Sequence, residues 1–126
     1  MDRFTIYGNP VTKKNHGQIV KCKGRAMVIP SKKYREYEKL CKNQIPNLQI
    51  DKPCNIKATY YMQTRRRVDI TNLHSALHDV LVTHGCLVDD NCHIVVGTDG
   101  SRVAYDKENP RTEVEITYDG YTDPFS

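Results

Sequence analysis

Apolar residues recur along the chain at two periods, and the changes of period mark its elements. Leu73, Ala76, Leu77, Val80 and Leu81 fall at i, i+3, i+4, i+7 and i+8, one apolar stripe on a helical repeat. Thr71 precedes the stripe as an N-cap and Gly85 follows it where a left-handed residue closes a helix. The spacing therefore predicts a helix from about Asn72 to about His84, with Asn72, Ser75 and Asp79 on its polar face. A second helix is expected to start at Pro30-Ser31 with Ser31 as its N-cap, placing Tyr34, Tyr37, Glu38, Cys41 and Ile45 on one side.

Strands are read from shorter, alternating runs. Phe4 to Tyr7 forms the first, ended by Gly8-Asn9-Pro10; a polar loop with Lys13 and Lys14 follows. Gln18 to Cys22 and Ala26 to Ile29 flank Lys23-Gly24-Arg25 and read as a hairpin with a basic tip. A strand from Cys54 to Gln63 has Ile56, Ala58, Tyr60 and Met62 on one face and leads to Arg65, Arg66 and Arg67. His93 to Thr98 and Arg102 to Tyr105 read as strand partners joined by a tight turn at Asp99-Gly100, and Val114, Ile116 and Tyr118 alternate in a last strand. Together these predict one α+β domain over residues 1–126, with a mixed β-sheet, two main helices and a frayed tail at 119–126.

Composition narrows the class. A hydrophobic content of 38% describes a polar chain with a modest core. No apolar run approaches the roughly 20 residues of a membrane span, and the first residues lack a signal-peptide core, so a protein that remains in the cytoplasm is expected. Five scattered cysteines are expected to be reduced thiols. A net charge of +4 is compatible with a nucleic-acid partner without requiring one. No Gly-rich nucleotide-binding signature occurs, so no nucleotide cofactor is expected. His74, His78, His84, Cys86, Cys92 and His93 suggest zinc by type, yet their spacing matches no structural zinc site, and they read as surface and packing residues.

The chemistry concentrates between Arg65 and Asp90. Asp69 lies just before the predicted central helix, Asp79 on it, and Asp89 and Asp90 just after it. If Leu87 and Val88 return as a strand beside the one that ends near Asp69, these carboxylates converge at one end of a sheet. Clustered carboxylates repel one another unless a cation is present, and an oxygen-only ligand set suits Mg2+. The alternative is that these acids are solvated loop and cap residues. Arg65, Arg66 and Arg67 are placed to grip phosphates, and Lys32 and Lys33 belong to a basic helix face that also carries Arg35, Lys39 and Lys42.

Arg65 to Arg67, Asp69, Asn72-Leu73, Asp79-Val80-Leu81 and Leu87-Val88-Asp89-Asp90 together resemble the RusA-type Holliday junction resolvases, as does the opening Ile6-Tyr7-Gly8-Asn9-Pro10. The resemblance implies a Mg2+-dependent endodeoxyribonuclease, with Mn2+ as a substitute, that nicks four-way DNA junctions symmetrically as a homodimer in recombination, repair or phage DNA processing. It implies Asp69, Asp89 and Asp90 as metal ligands and Asp79 as a further catalytic or outer-shell carboxylate; beside them Lys13, Lys14, Lys32, Lys33 and the arginine triplet are the expected DNA contacts. Thr71 stands where the best-known members have a second Asp, as in phage-type members, and Ser75 where they have a functional Lys. Lys13, Lys14 or Arg67 are the candidate substitutes for that lysine. A branched-DNA-binding protein without catalysis, a nuclease with broader flap or fork preference, and a small domain with no nucleic-acid role are the alternatives.

Overall fold

The computed structural model describes residues 1–12, 18–22, 24–29 and 31–125. Its strands are β1 (Asp2–Tyr7), β2 (Gln18–Cys22), β3 (Arg25–Ile29), β4 (Cys54–Met62), β5 (Val95–Gly97), β6 (Arg102–Tyr105) and β7 (Arg111–Thr117), with helices α1 (Lys32–Cys41) and α2 (Ile70–Thr83). The main sheet has five strands in the order β1-β7-β4-β5, with β6 also paired to β4. The β1, β7 and β4 pairings are antiparallel, whereas β5 and β6 both run parallel to β4, so the sheet is mixed as expected. The predicted hairpin is β2 and β3, a separate two-stranded sheet.

Register sorts the two faces. Ile6, Ile56, Ala58, Tyr60, Val114 and Ile116 are buried on one side, against Tyr34, Tyr37 and Cys41 of α1 and the predicted Leu73 to Leu81 stripe of α2. Arg3, Lys57 and Glu115 occupy the other side, where Glu115 pairs with both cations. The helices lie side by side and run the same way: Tyr34 hydrogen-bonds Asp79, and the Glu38 carbonyl lies 2.8 Å from His84 Nε2. Cys41, Cys54 and Cys86 are buried free thiols, pushed up to about 11, 11 and 12 by burial, while Cys92 is free and exposed.

Three expectations change. The α2 N-cap is Asp69, not Thr71, since the Asp69 carbonyl already accepts from the Asn72 and Leu73 amides at 3.1 and 3.2 Å. The α1 helix closes at Cys41, and Ile45 reaches the core from beyond its end.

The β5–β6 hairpin does not form. The turn at Asp99-Gly100 exists, with Gly100 at φ 86°, but the two strands continue in line along one edge of β4. Side chains fill the break between them. Buried Asn55 donates to the Asp99 carbonyl at 3.1 Å and accepts from its amide at 2.7 Å, and Ser101 Oγ accepts from the Ala58 amide at 3.0 Å. In the tail, Asp123 lies 2.6 Å from His93 Nδ1.

Candidate active site

Asp69 is set by the junction of an extended segment with a helix. Residues 63–68 carry the chain off the end of β4, and Asp69 is still extended (φ −96°, ψ 126°) when α2 begins. Its carboxylate makes no capping bond to the helix amides and instead accepts from Asn72 Nδ2 at 3.2 Å. An exposed carboxylate therefore sits at the positive end of the helix dipole.

Arg65, Arg66 and Arg67 are all exposed beside it. Arg65 lies over the ring of Tyr105, 4.6 Å from its centroid. A groove of about 400 Å³ opens here, lined chiefly by Met62, Arg65, Arg66, Val68, Val103 and Tyr105. Sequence reasoning missed Tyr105 as a site neighbour, because only the parallel register of Met62 with Tyr105 brings β6 alongside.

Asp89 and Asp90 do not join Asp69 within one chain. Leu87 makes an isolated parallel bridge to Ile50, and Val88 N donates to the Ile50 carbonyl, ahead of the start of β4. The return beside the end of β4 that would bring the carboxylates together is not made, because the chain comes back at the opposite end of that strand. With a rise of about 1.5 Å per residue, α2 alone separates its two ends by roughly 20 Å. Consistent with this, among the described residues no three His, Cys, Asp or Glu side chains gather as a metal site.

The remaining carboxylates divide by their partners. Asp89 accepts from the Asp90 amide at 2.7 Å and from Asn91 Nδ2 at 3.1 Å, which folds the 89–93 turn on itself. Asp90 is exposed, and among the described residues its carboxylate has no partner. Asp79 accepts from the buried Tyr34 hydroxyl and so ties α2 to α1, about ten residues along the helix from Asp69.

Behind Asp69, His74 Nδ1 lies 2.6 Å from the buried Tyr60 hydroxyl and stacks on His78, with centroids 5.6 Å apart and planes 6° from parallel. Burial, then the neighbouring His74, lowers the His78 pKa to about 4, so the ring is packed in its neutral form.

Thr71 and Ser75 are both exposed on α2, and Ser75 Oγ donates back to the Thr71 carbonyl at 3.1 Å. Lys32 and Lys33 open α1 on the side of α2 that leads toward Asp69, and Lys32 lies 3.9 Å from Glu36. Lys13 and Lys14 lie outside the described residues.

The family model for endodeoxyribonuclease RusA matches residues 7–117. The chain belongs to the RusA endodeoxyribonuclease family. No curated protein matches it. RusA membership covers every element from the end of β1 to β7, including both carboxylate-bearing ends of α2 and the arginine segment. The RusA match makes the chain a DNA endonuclease by family, and no helix among its described residues is long and apolar enough to cross a membrane.

Proposed function

We propose that this RusA-family protein is a Mg2+-dependent endonuclease that resolves four-way DNA junctions by paired, symmetric nicking as a homodimer. The observation that carries the reading is the exposed Asp69 carboxylate at the start of α2, flanked by the exposed arginines Arg65 to Arg67.

The donor chemistry fits the cation. Mg2+ takes one or two carboxylates, keeps several waters and accepts phosphate oxygens, which is what Asp69 and Asp90 offer from exposed positions. When bound, it would polarise the scissile phosphate and lower the pKa of an attacking water. Asp89 contributes by holding the turn that presents Asp90. Arg66 and Arg67 bind the substrate phosphates and offset charge that builds during attack. Lys32 and Lys33 extend that basic surface along the DNA.

The separation of Asp69 from Asp90 along α2 supports a working unit of two copies. A two-fold dimer that sets Asp69 of one copy against Asp90 of the other would form two complete, equivalent sites, matched to two equivalent strands of a junction.

The test is incubation with a labelled four-way junction and a matching linear duplex, in Mg2+, Mn2+ or EDTA. Symmetric nicks on the junction alone, and only with metal, are expected. The second reading, a junction-binding protein without catalysis, draws on Thr71, Ser75 and the split carboxylates. It would prevail if the junction were bound but left intact under every metal.

A further inference from the structure

We propose that the groove between β6 and the segment leading to Asp69 is a nucleobase subsite, which receives one unstacked base of the DNA beside the scissile phosphate. The inference rests on the junction-nuclease reading and adds to it a place for a base.

Register creates the groove. Tyr60 pairs with Val103 and Met62 with Tyr105, so Val103 and Tyr105 point to the same sheet face as the buried Tyr60, the face that α2 covers. The β6 side of that face is left uncovered, with Val103 40% and Tyr105 44% exposed on a strand whose other edge is unpaired among the described residues. An apolar floor of Met62, Val68 and Val103 is thus bounded by an aromatic ring with a guanidinium over it.

The occupant follows from size and charge. The cavity of about 400 Å³ is at the small end of ligand sites and suits a single base better than a peptide helix. No carboxylate lines it, while Arg65 and Arg66 stand on its wall and Arg67 and Arg102 are exposed nearby. Arginine and tyrosine surfaces stack on any base, and cationic neighbours hold its phosphates. Val68 immediately precedes Asp69, so a base in this groove would belong to a nucleotide at or next to the cleaved one. Opening a junction at its crossover removes one stacking neighbour from the bases there, so taking one of them into the groove costs less than unstacking a base within a duplex. The groove therefore favours branched over linear DNA without reading sequence.

The test places 2-aminopurine, in turn, at each nucleotide flanking the crossover of a four-way junction. Asp69→Asn protein is used so that the DNA stays intact. Fluorescence is expected to rise at one position on binding, and the rise should vanish with Tyr105→Ala and survive with Tyr105→Phe. Tyr105→Ala should weaken junction binding on the order of tenfold while linear duplex binding is unchanged.

Junction binding with no fluorescence rise at any position would overturn the subsite and leave the nuclease reading intact. So would equal loss on junction and duplex. A change in the oligomeric state of DNA-free Tyr105→Ala protein would assign the groove to a second copy of the chain instead. Failure of Asp69→Asn protein to bind the junction, with wild type unable to cut it, would reject the nuclease reading itself.

Discussion

The Tyr34 hydroxyl donates to the Asp79 carboxylate across the α1–α2 contact, and this pair ties the two helices together. Burial, and then the Asp79 carboxylate, push the Tyr34 hydroxyl well above its usual value, so it remains a donor at any working pH. Asp79→Ala removes the Asp79 acceptor from the buried Tyr34 hydroxyl and should cost about 1–3 kcal/mol in denaturant unfolding. Asp79→Asn retains an acceptor and should cleave junctions at close to the wild-type rate. If folded Asp79→Asn protein is as inactive as Asp69→Asn protein, Asp79 takes part in the reaction.

What the sequence made legible was local. The α2 stripe from Leu73 to Leu81, the Ser31 cap and the alternation of β4 each depend on residues within a turn or two, and the structure has them as read. What it hid was where the chain returns. Asp69 and Asp90 are close in sequence, and only the Ile50–Leu87 bridge puts Asp90 at the far end of β4. Likewise Asp99-Gly100 carries a hairpin signal, but no local pattern announces that Asn55, more than forty residues earlier, will splice β5 and β6 into one edge. Tyr105 reads as an ordinary edge-strand residue until that splice brings it beside Met62.

That splice is itself testable. Asn55 satisfies both backbone groups of Asp99 from a buried position, so Asn55→Leu strips two partners at once. A loss of about 2–4 kcal/mol is expected, read as a fall in the thermal midpoint of several degrees. Because β6 also forms one wall of the groove, junction binding measured well below that midpoint should weaken too. An unchanged midpoint would mean that water serves Asp99 equally well.

The histidine stack predicts a pH dependence. Burial lowers the His78 pKa in the fold to about 4 from an ordinary 6.5, so the native state prefers the neutral ring. As pH falls through that window the unfolded chain takes up the proton first, and stability drops. It is fully present above pH 6.5 and lost progressively toward pH 4. His78→Leu should flatten this part of the stability profile. A wild-type profile already flat there would show that the ring is hydrated.

Arg66 and Arg67 are expected to act through phosphates. Each change to Ala should weaken binding to junction and duplex alike and reduce the slope of log affinity against log salt by about 1. A loss confined to one sequence would indicate base contact instead.

The split between Asp69 and Asp90 yields the most decisive experiment, because it distinguishes a site shared by two copies from one contained in a single chain. Asp69→Asn and Asp90→Asn proteins should each be inactive alone. Mixed and allowed to exchange, they form heterodimers in about half of the population. If the sites are shared, each heterodimer holds one site with both carboxylates and one with neither. Nicking should then return to roughly one quarter of the wild-type level. The product would be singly nicked junctions, since the opposing strand meets a dead site. If each site belongs to one chain, every site in the mixture lacks a carboxylate and no activity returns. Recovery of nicking without resolution would therefore establish both the dimer and the pairing of Asp69 with Asp90 across it.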